Sequence, residues 1–504
     1  MRRSAIGALL VVFAACTRAV PPETHTPATT RPSVPQLDAQ VLTDSGSVAF
    51  LIAEGTERSR AAADLRHLTE VIGPRLTGSP AMRQANEWAA AKLRDYGADT
   101  VALEPWPFGV SWQRGPISMR LVAPHVRWLP AVSWAWAPGT GGPRAGPVVY
   151  VDATSRADFE RSFAGRLRGA WVMTGPAYPR VHPATADARD SARVDSLRRQ
   201  LRERNDRLTQ PQRVFLANLP TLLAAEGVAG QIIDGGKDFG LFTMSGSPDD
   251  IPPFPMVVVG NQTFAELHRH HASGQDVRVE VSVANTLGRD TIMQWNTVGE
   301  IRGSERPDEI VLLGAHLDSW DLGTGATDNA AGSVAVIEAA RLLGALKSAG
   351  VRPRRTIRFA LFSGEEQGLF GSQYYVLSHA RELPRYQAVL VLDNGTGRIV
   401  GLPLQGQDEL HELWATMMRP LAPLGPIVVR SGIKTGTDHL VFEPAGVPSF
   451  NYDQAPRGYD HTHHSQLDVF DYAVPADVAQ AATVMAVNAL QLANLDQLLP
   501  RHRR

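Results

Sequence analysis

The stretch IVLLGAHLDSWDLGTGATDNAAG, residues 310–332, decides the fold. Ile310 to Leu313 is a short apolar run of the kind that forms a buried strand. His316 and Asp318 follow, then a glycine-rich loop, then Asp328. Beyond Gly332, Val334, Val336, Ile337, Ala340 and Leu343 fall at helical spacing. A histidine and two acids thus occupy the turn between a strand's carboxyl end and a helix. Ligands bind at that position in open α/β sheets. Imidazole and carboxylate together in one loop suit a divalent cation.

The same alternation continues outward. Strands are expected at Thr356–Phe362, Ala388–Asp393, Ile427–Arg430 and Val447–Asn451, and helices after Gly332 to Leu346, from Gly371 to about His379, Asp408 to Met418 and 475–497. This predicts an α/β fold, a mixed and mostly parallel sheet with helices on both faces. Upstream, Ala61, Leu65, Leu68, Val71 and Ile72 share a helical face, Gly73 to Pro80 breaks it, and Ser79-Pro80 opens a helix with Trp88, Ala91, Leu93 and Tyr96 as core. Residues 99–106 read as a strand. Residues 111–285 differ: short strand-like runs at 117–122, 147–151, 170–174, 231–233, 255–259 and 277–283 mark a mainly β insertion. Within it, 187–208 is strongly charged with a thin apolar stripe of Val194, Leu197 and Leu201, the pattern of a solvated helix or long loop.

The chain has 504 residues, 43% apolar and 20% charged, with a formal net charge of −1. It can bury a sizeable core, and no basic surplus points to nucleic acid. Met1-Arg2-Arg3, the apolar run Ala5–Ala15 and Cys16 resemble a secretory signal peptide, and more narrowly a bacterial lipoprotein signal with Cys16 as the lipidated first residue. Cleavage near Ala15 or Ala19 is the alternative. Cys16 is the sole cysteine, so no intrachain disulfide forms. Residues 17–37 are rich in Pro and Thr and read as a tether.

Three more strand ends carry ligand-type residues. The first runs into Ser363-Gly364-Glu365-Glu366, the second into Asp393-Asn394-Gly395, and a late loop holds Tyr459-Asp460-His461-Thr462-His463-His464. Alone, each is a turn, cap or first-turn acid. Strand-end loops of one parallel sheet converge, however, so His316, Asp328, Glu365, Glu366, Asp393 and a histidine from 461–464 can meet at one rim. There is no G-x-S-x-G elbow, no H-E-x-x-H and no third glycine after Gly323 and Gly325 to make a dinucleotide site.

HLDSWDLGTGATDNAAG, SGEEQGLFGS, LDN and HHSQLD together resemble the co-catalytic dizinc exopeptidases of the zinc aminopeptidase type, nearest the carboxypeptidase Q-like branch. The resemblance spans about 60–495. After the signal peptide (1–15) and tether (16–40) read from composition, it implies a peptidase domain in two parts (41–110 and 286–504) and an inserted protease-associated domain (111–285). It implies two Zn2+ ions, with His316 and Asp393 on one, Glu366 and His464 on the other, and Asp328 bridging. Glu365 would be the general acid/base, Asp318 would orient His316, and Tyr459 would stabilise the oxyanion. A cis Asp328-Asn329 peptide is expected. His464 is preferred over His461 and His463 because HSQLD matches the family's pattern best.

The implied activity is removal of a residue from a peptide's free terminus, or dipeptide hydrolysis, by an exported cell-envelope, secreted or periplasmic protein. Expected partners are peptide or dipeptide substrates, a lipid bilayer through Cys16 and no nucleic acid, with a homodimer left open. The rival readings are a glutaminyl cyclase-like acyltransferase and a catalytically dead, receptor-like binding protein.

Overall fold

In the computed structural model, which describes residues 45–179 and 188–501, apolar strands that cannot face water stack into one central sheet. Its six strands run in the order Thr100–Gln113, Thr286–Ile301, Arg355–Phe362, Arg306–His316, Tyr386–Val391, Ser449–Asn451. The last four pair in parallel, with Leu313 opposite Phe359 on one side and Leu390 on the other. Both faces of Arg355–Phe362 are buried, the pattern a parallel sheet covered on both sides requires. Helices Ala331–Ser348 and Pro475–Asn494 cover one face, while Phe370–Ser378 and the 3₁₀ turn Asp438–Ala445 cover the other. The signal peptide, Cys16 and the 16–40 tether lie outside the described residues.

The edge pair is an antiparallel ribbon, Thr100 opposite Glu300 and Gln113 opposite Thr286. Its inner strand, Thr286–Ile301, was not among the expected elements, because Arg289-Asp290 interrupts its apolar alternation. The ribbon leads to a second sheet of eight strands, all within 117–283. This segment is less purely β than expected. Beside the sheet it carries helices Arg156–Ser162, Ala188–Asp206, Gln210–Glu226 and Asn261–Ala272. Gln210–Glu226 has a full capping box at Thr209 and Gln212, and ends on Gly227. On Ala188–Asp206, Val194 is buried and Leu197 is 38% exposed, so the stripe is thin as its spacing implies. Trp106, Phe108, Trp112, Trp136 and Trp320 form an aromatic cluster where ribbon and second sheet meet the site loops.

Two assignments near the N-terminus change. Val71 is 64% exposed although Leu65 and Leu68 are buried. His67–Ile72 is a π-turn, whose extra residue per turn rotates Val71 off the shared face. In helix Pro80–Asp95, capped by Ser79, Ala91 faces solvent, and Met82, Ala85, Ala89, Ala90 and Leu93 form the buried stripe. Trp88 and Tyr96 sit at its margin.

Gly344 marks the closest approach of this helix's end to Ala331–Ser348. A Cβ there would lie 1.9 Å from the Tyr96 carbonyl oxygen. Gly344→Ala should therefore destabilise by about 1–3 kcal/mol through overpacking, despite alanine's better helix propensity. A fall in melting temperature checks this; an unchanged or higher one contradicts the packing.

Candidate metal centre

Each strand end delivers its side chain to one rim. His316 is the last residue of its strand, Glu365 and Glu366 follow Phe362, and Asp393 lies two residues past Val391. His463 and His464 follow the one-turn helix Tyr459–Thr462. Asp328 occupies the loop before helix Ala331–Ser348, and its peptide bond to Asn329 is cis.

Asp328 sits between two sets of groups. Its Oδ1 lies 3.3 Å from His316 Nε2, which is itself 3.4 Å from Asp393 Oδ1. Its Oδ2 lies 3.5 Å from His464 Nε2, which is 2.9 Å from Glu366 Oε2. His463 Nε2 is 3.7 Å from the same Oδ2 but 44% exposed, and its ring stacks on His464. His461 turns away and stacks on Phe239. Glu365 comes within 3.9 Å of His316 Nε2.

These separations fit a cation. Tetrahedral coordination at about 2.0–2.1 Å places neighbouring ligand atoms roughly 3.3 Å apart. His316 Nε2, Asp328 Oδ2 and Glu366 Oε1 are buried without any hydrogen-bond partner, a costly arrangement for atoms meant to stay unligated. His316, Asp328 and Glu366, and separately Asp328, His463 and His464, offer ligand atoms close enough for one ion.

The surrounding residues hold these groups in place. His316 Nδ1 lies 3.1 Å from the Asp318 carbonyl oxygen, which fixes the ring with Nε2 facing the site. The Asp318 carboxylate is more than an orienter of His316. It accepts from Thr77 Oγ1 at 2.9 Å and from the backbone N–H groups of Glu365 and Glu366, so it also holds the glutamate loop. Asp468 accepts from the Thr327 N–H and hydroxyl and from the Asp328 N–H, fixing the Asp328 loop. Arg75, fully buried, donates to the carbonyls of Gly73, Leu317, Thr324 and Gly325. A side chain at Gly325 would strike Ser319, and its φ of 63° lies in the left-handed region, so this turn needs glycine.

Charge dominates the energetics. Burial raises the Glu365 and Glu366 carboxyls well above the usual range, and nearby Asp393 and Asp328 add to it. Burial pulls His316 down, but Asp393 and Glu365 outweigh it and hold the imidazole well above its usual value. Burial, with Asp328 nearby, pushes Asp468 up to about 7. Burial does the same to Asp438, whose two oxygens have no hydrogen-bond partner. Burial also raises the Tyr459 hydroxyl, which therefore stays a donor.

Asp438, Asp468, Arg75 and Thr77 were missed as site residues. Asp468 stands in HSQLD and offered a signal. Asp438 lies on a 3₁₀ turn, with no periodicity to place it. A cleft of about 1170 Å³ opens over the centre, lined by Tyr459, Leu369, Leu440 and Pro444 among others.

Residues 296–489 match Peptidase family M28. Carboxypeptidase Q of Mus musculus is 28% identical over 460 residues, covering 90% of each chain. The crystal structure of a Peptidase M28 precursor from Shewanella amazonensis SB2B superposes with a TM-score of 0.74 at 25% identity, covering 93% of this chain and all of that one. A zinc aminopeptidase from Bacillus subtilis shares the fold, with a TM-score of 0.57 at 20% identity over 86% of this chain and 93% of its own.

The buried acids predict a pH effect on the cation-free protein. Asp438 and Asp468 have folded pKa values raised to about 7, above the usual carboxylate value. The stability they contribute is complete below the unfolded pKa of about 3.9 and is lost as pH rises through about 7. Glu365 and Glu366 act in the same direction. The chelated protein should melt progressively lower from about pH 5 to about pH 8, and a saturating divalent cation should flatten the curve. Parallel melting curves with and without cation would contradict the site.

Proposed function

We propose that the chain, whose residues 296–489 match Peptidase family M28, is a two-zinc exopeptidase that hydrolyses the peptide bond next to a free terminus, as an aminopeptidase or dipeptidase. The observation that carries this is Asp328, with one carboxylate oxygen toward His316 and Asp393 and the other toward His464 and Glu366. In this reading His316 and Asp393 would hold one zinc, Glu366 and His464 the other, and Asp328 would contribute to both. Zinc bound there supplies Lewis acidity that polarises the scissile carbonyl and acidifies water.

The chain's own residues do the rest. Glu365 borders the cleft and ligates neither zinc in this assignment, so its carboxylate is free to accept a proton from the attacking water and pass it to the leaving amine. Asp318 is a positioning residue that holds His316 on one side and the Glu365–Glu366 backbone on the other. Tyr459, protonated and lining the cleft, donates to the oxygen that becomes anionic. The apolar wall of Leu369, Leu440 and Pro444 receives an apolar terminal side chain. The inserted segment 111–285 is a protease-associated domain in this reading, and the protein is exported through its N-terminal signal.

Hydrolysis of leucine anilide should vanish with a chelator and return with zinc. Glu365→Gln should lower kcat by about 10²–10⁴-fold while keeping the bound zinc. Turnover that survives full metal removal would overturn the reading. So would conversion of a Gln-initiated peptide by loss of ammonia alone.

A further inference from the structure

The cleft above the metal centre does not end at His463. A second cleft of about 690 Å³ shares that residue. Helix Ala188–Asp206 walls it with Arg198, Arg199 and Arg202, the loop after strand Gly230–Asp234 brings Lys237, and the one-turn helix Tyr459–Thr462 brings Asp460.

The acids in this cleft do not cancel its bases. Asp238 and Asp195 lie 2.7 Å and 3.6 Å from Arg198 and are taken up by it. Among the described residues, no carboxylate lies within ion-pair distance of Arg199, Arg202 or Lys237, and Asp460 is the remaining acid on the wall. Lys237 Nζ donates to the Asp460 carbonyl oxygen at 2.7 Å, which uses one of its three donors and fixes the ammonium at the cleft wall. It is half-buried, and its charge acts on Asp328, His463 and His464. Lys237 therefore stands at the join between the clefts, with Arg199 and Arg202 beyond it.

We propose that this second cleft is a subsite for the carboxylate-bearing end of the peptide, held by Lys237, Arg199 and Arg202. The inference rests on the exopeptidase reading and gives it a direction. A linear peptide carries an ammonium at one end and a carboxylate at the other. Four bases against Asp195, Asp238 and Asp460 leave this cleft with a positive surplus, which repels the first and attracts the second. The amino end then lies in the apolar-walled main cleft among the acids, and the leaving half crosses His463 into the basic cleft. The carboxylate is supplied by the chain terminus or by an acidic side chain next to it.

The test uses the zinc-loaded full chain and neutral and charged forms of one peptide. Leucyl-glutamine against leucyl-glutamine amide reads the terminal carboxylate. Leucyl-glutamate α-amide against leucyl-glutamine amide reads the side-chain carboxylate. In the Arg199→Gln/Arg202→Gln double variant, and in Lys237→Met, the charged-to-neutral ratio of kcat/KM should fall about ten-fold through KM, and added salt should erode the wild-type ratio. The arm that falls names the source of the carboxylate. Ratios equal to wild type in both variants would overturn the proposal, and so would a loss shared equally by charged and neutral peptides, which would make Lys237 only a brace for the His463–His464 loop. A wild-type protein that cleaves none of these peptides would instead refute the exopeptidase reading itself.

Discussion

Asp318, Asp328, Glu365, Glu366, Asp393, Asp438 and Asp468 share one buried strand edge, and that crowding of negative charge is the constraint on which the structure depends. Arg75 is a buried cation beside them, acted on by Asp468, Asp318, Glu366 and Asp328, while its donors go to loop carbonyls. Even its own pKa is drawn down by burial to about 10. Coulomb repulsion in so dry a setting is relieved by protonation or by cations. Orphaned atoms on His316, Asp328 and Glu366, all aimed into one space, favour cations.

The fold follows from how that edge is built. Three parallel strands end level with one another, and each hands a ligand-type side chain to the rim within four residues of its end. Side chains on such short extensions have little freedom, so the separations are set by the sheet and not by the loops. The loops around the site are tied down individually: 317–325 by Arg75, 327–328 by Asp468, and 463–466 by the loop that follows strand Gly230–Asp234. There Met244 N–H donates to the His464 carbonyl and Phe242 N–H to Gln466 Oε1. The 117–283 segment thus buttresses a ligand loop from outside the central sheet.

Much of this was readable in the amino-acid order because the informative residues sit at strand ends. His316, Glu365, Glu366 and Asp393 each follow an apolar run whose type is unambiguous, so their convergence follows from parallel topology. Asp328 was read from the same strand-to-helix turn, whereas the choice of His464 among three histidines depended on pattern resemblance, since no such run precedes it. The unreadable parts share a cause, which is that contact across long sequence separations leaves no local period. Asp438 and Arg75 reach the site from a 3₁₀ turn and from a break between helices. Lys237 is a lone lysine after two glycines, and only its bond to Asp460, 223 residues away, gives it meaning. Val71 failed for a different reason, because a π-turn shifts helical phase without a residue type that announces it.

Anomalous diffraction at the zinc edge from crystals grown with zinc tests the central claim most directly. The account predicts two peaks on either side of the Asp328 carboxylate, one beside His316 and Asp393 and the other beside Glu366 and His464, with Glu365 touching neither. A peak ligated by Glu365, or density that leaves Asp328 uncoordinated, would contradict it.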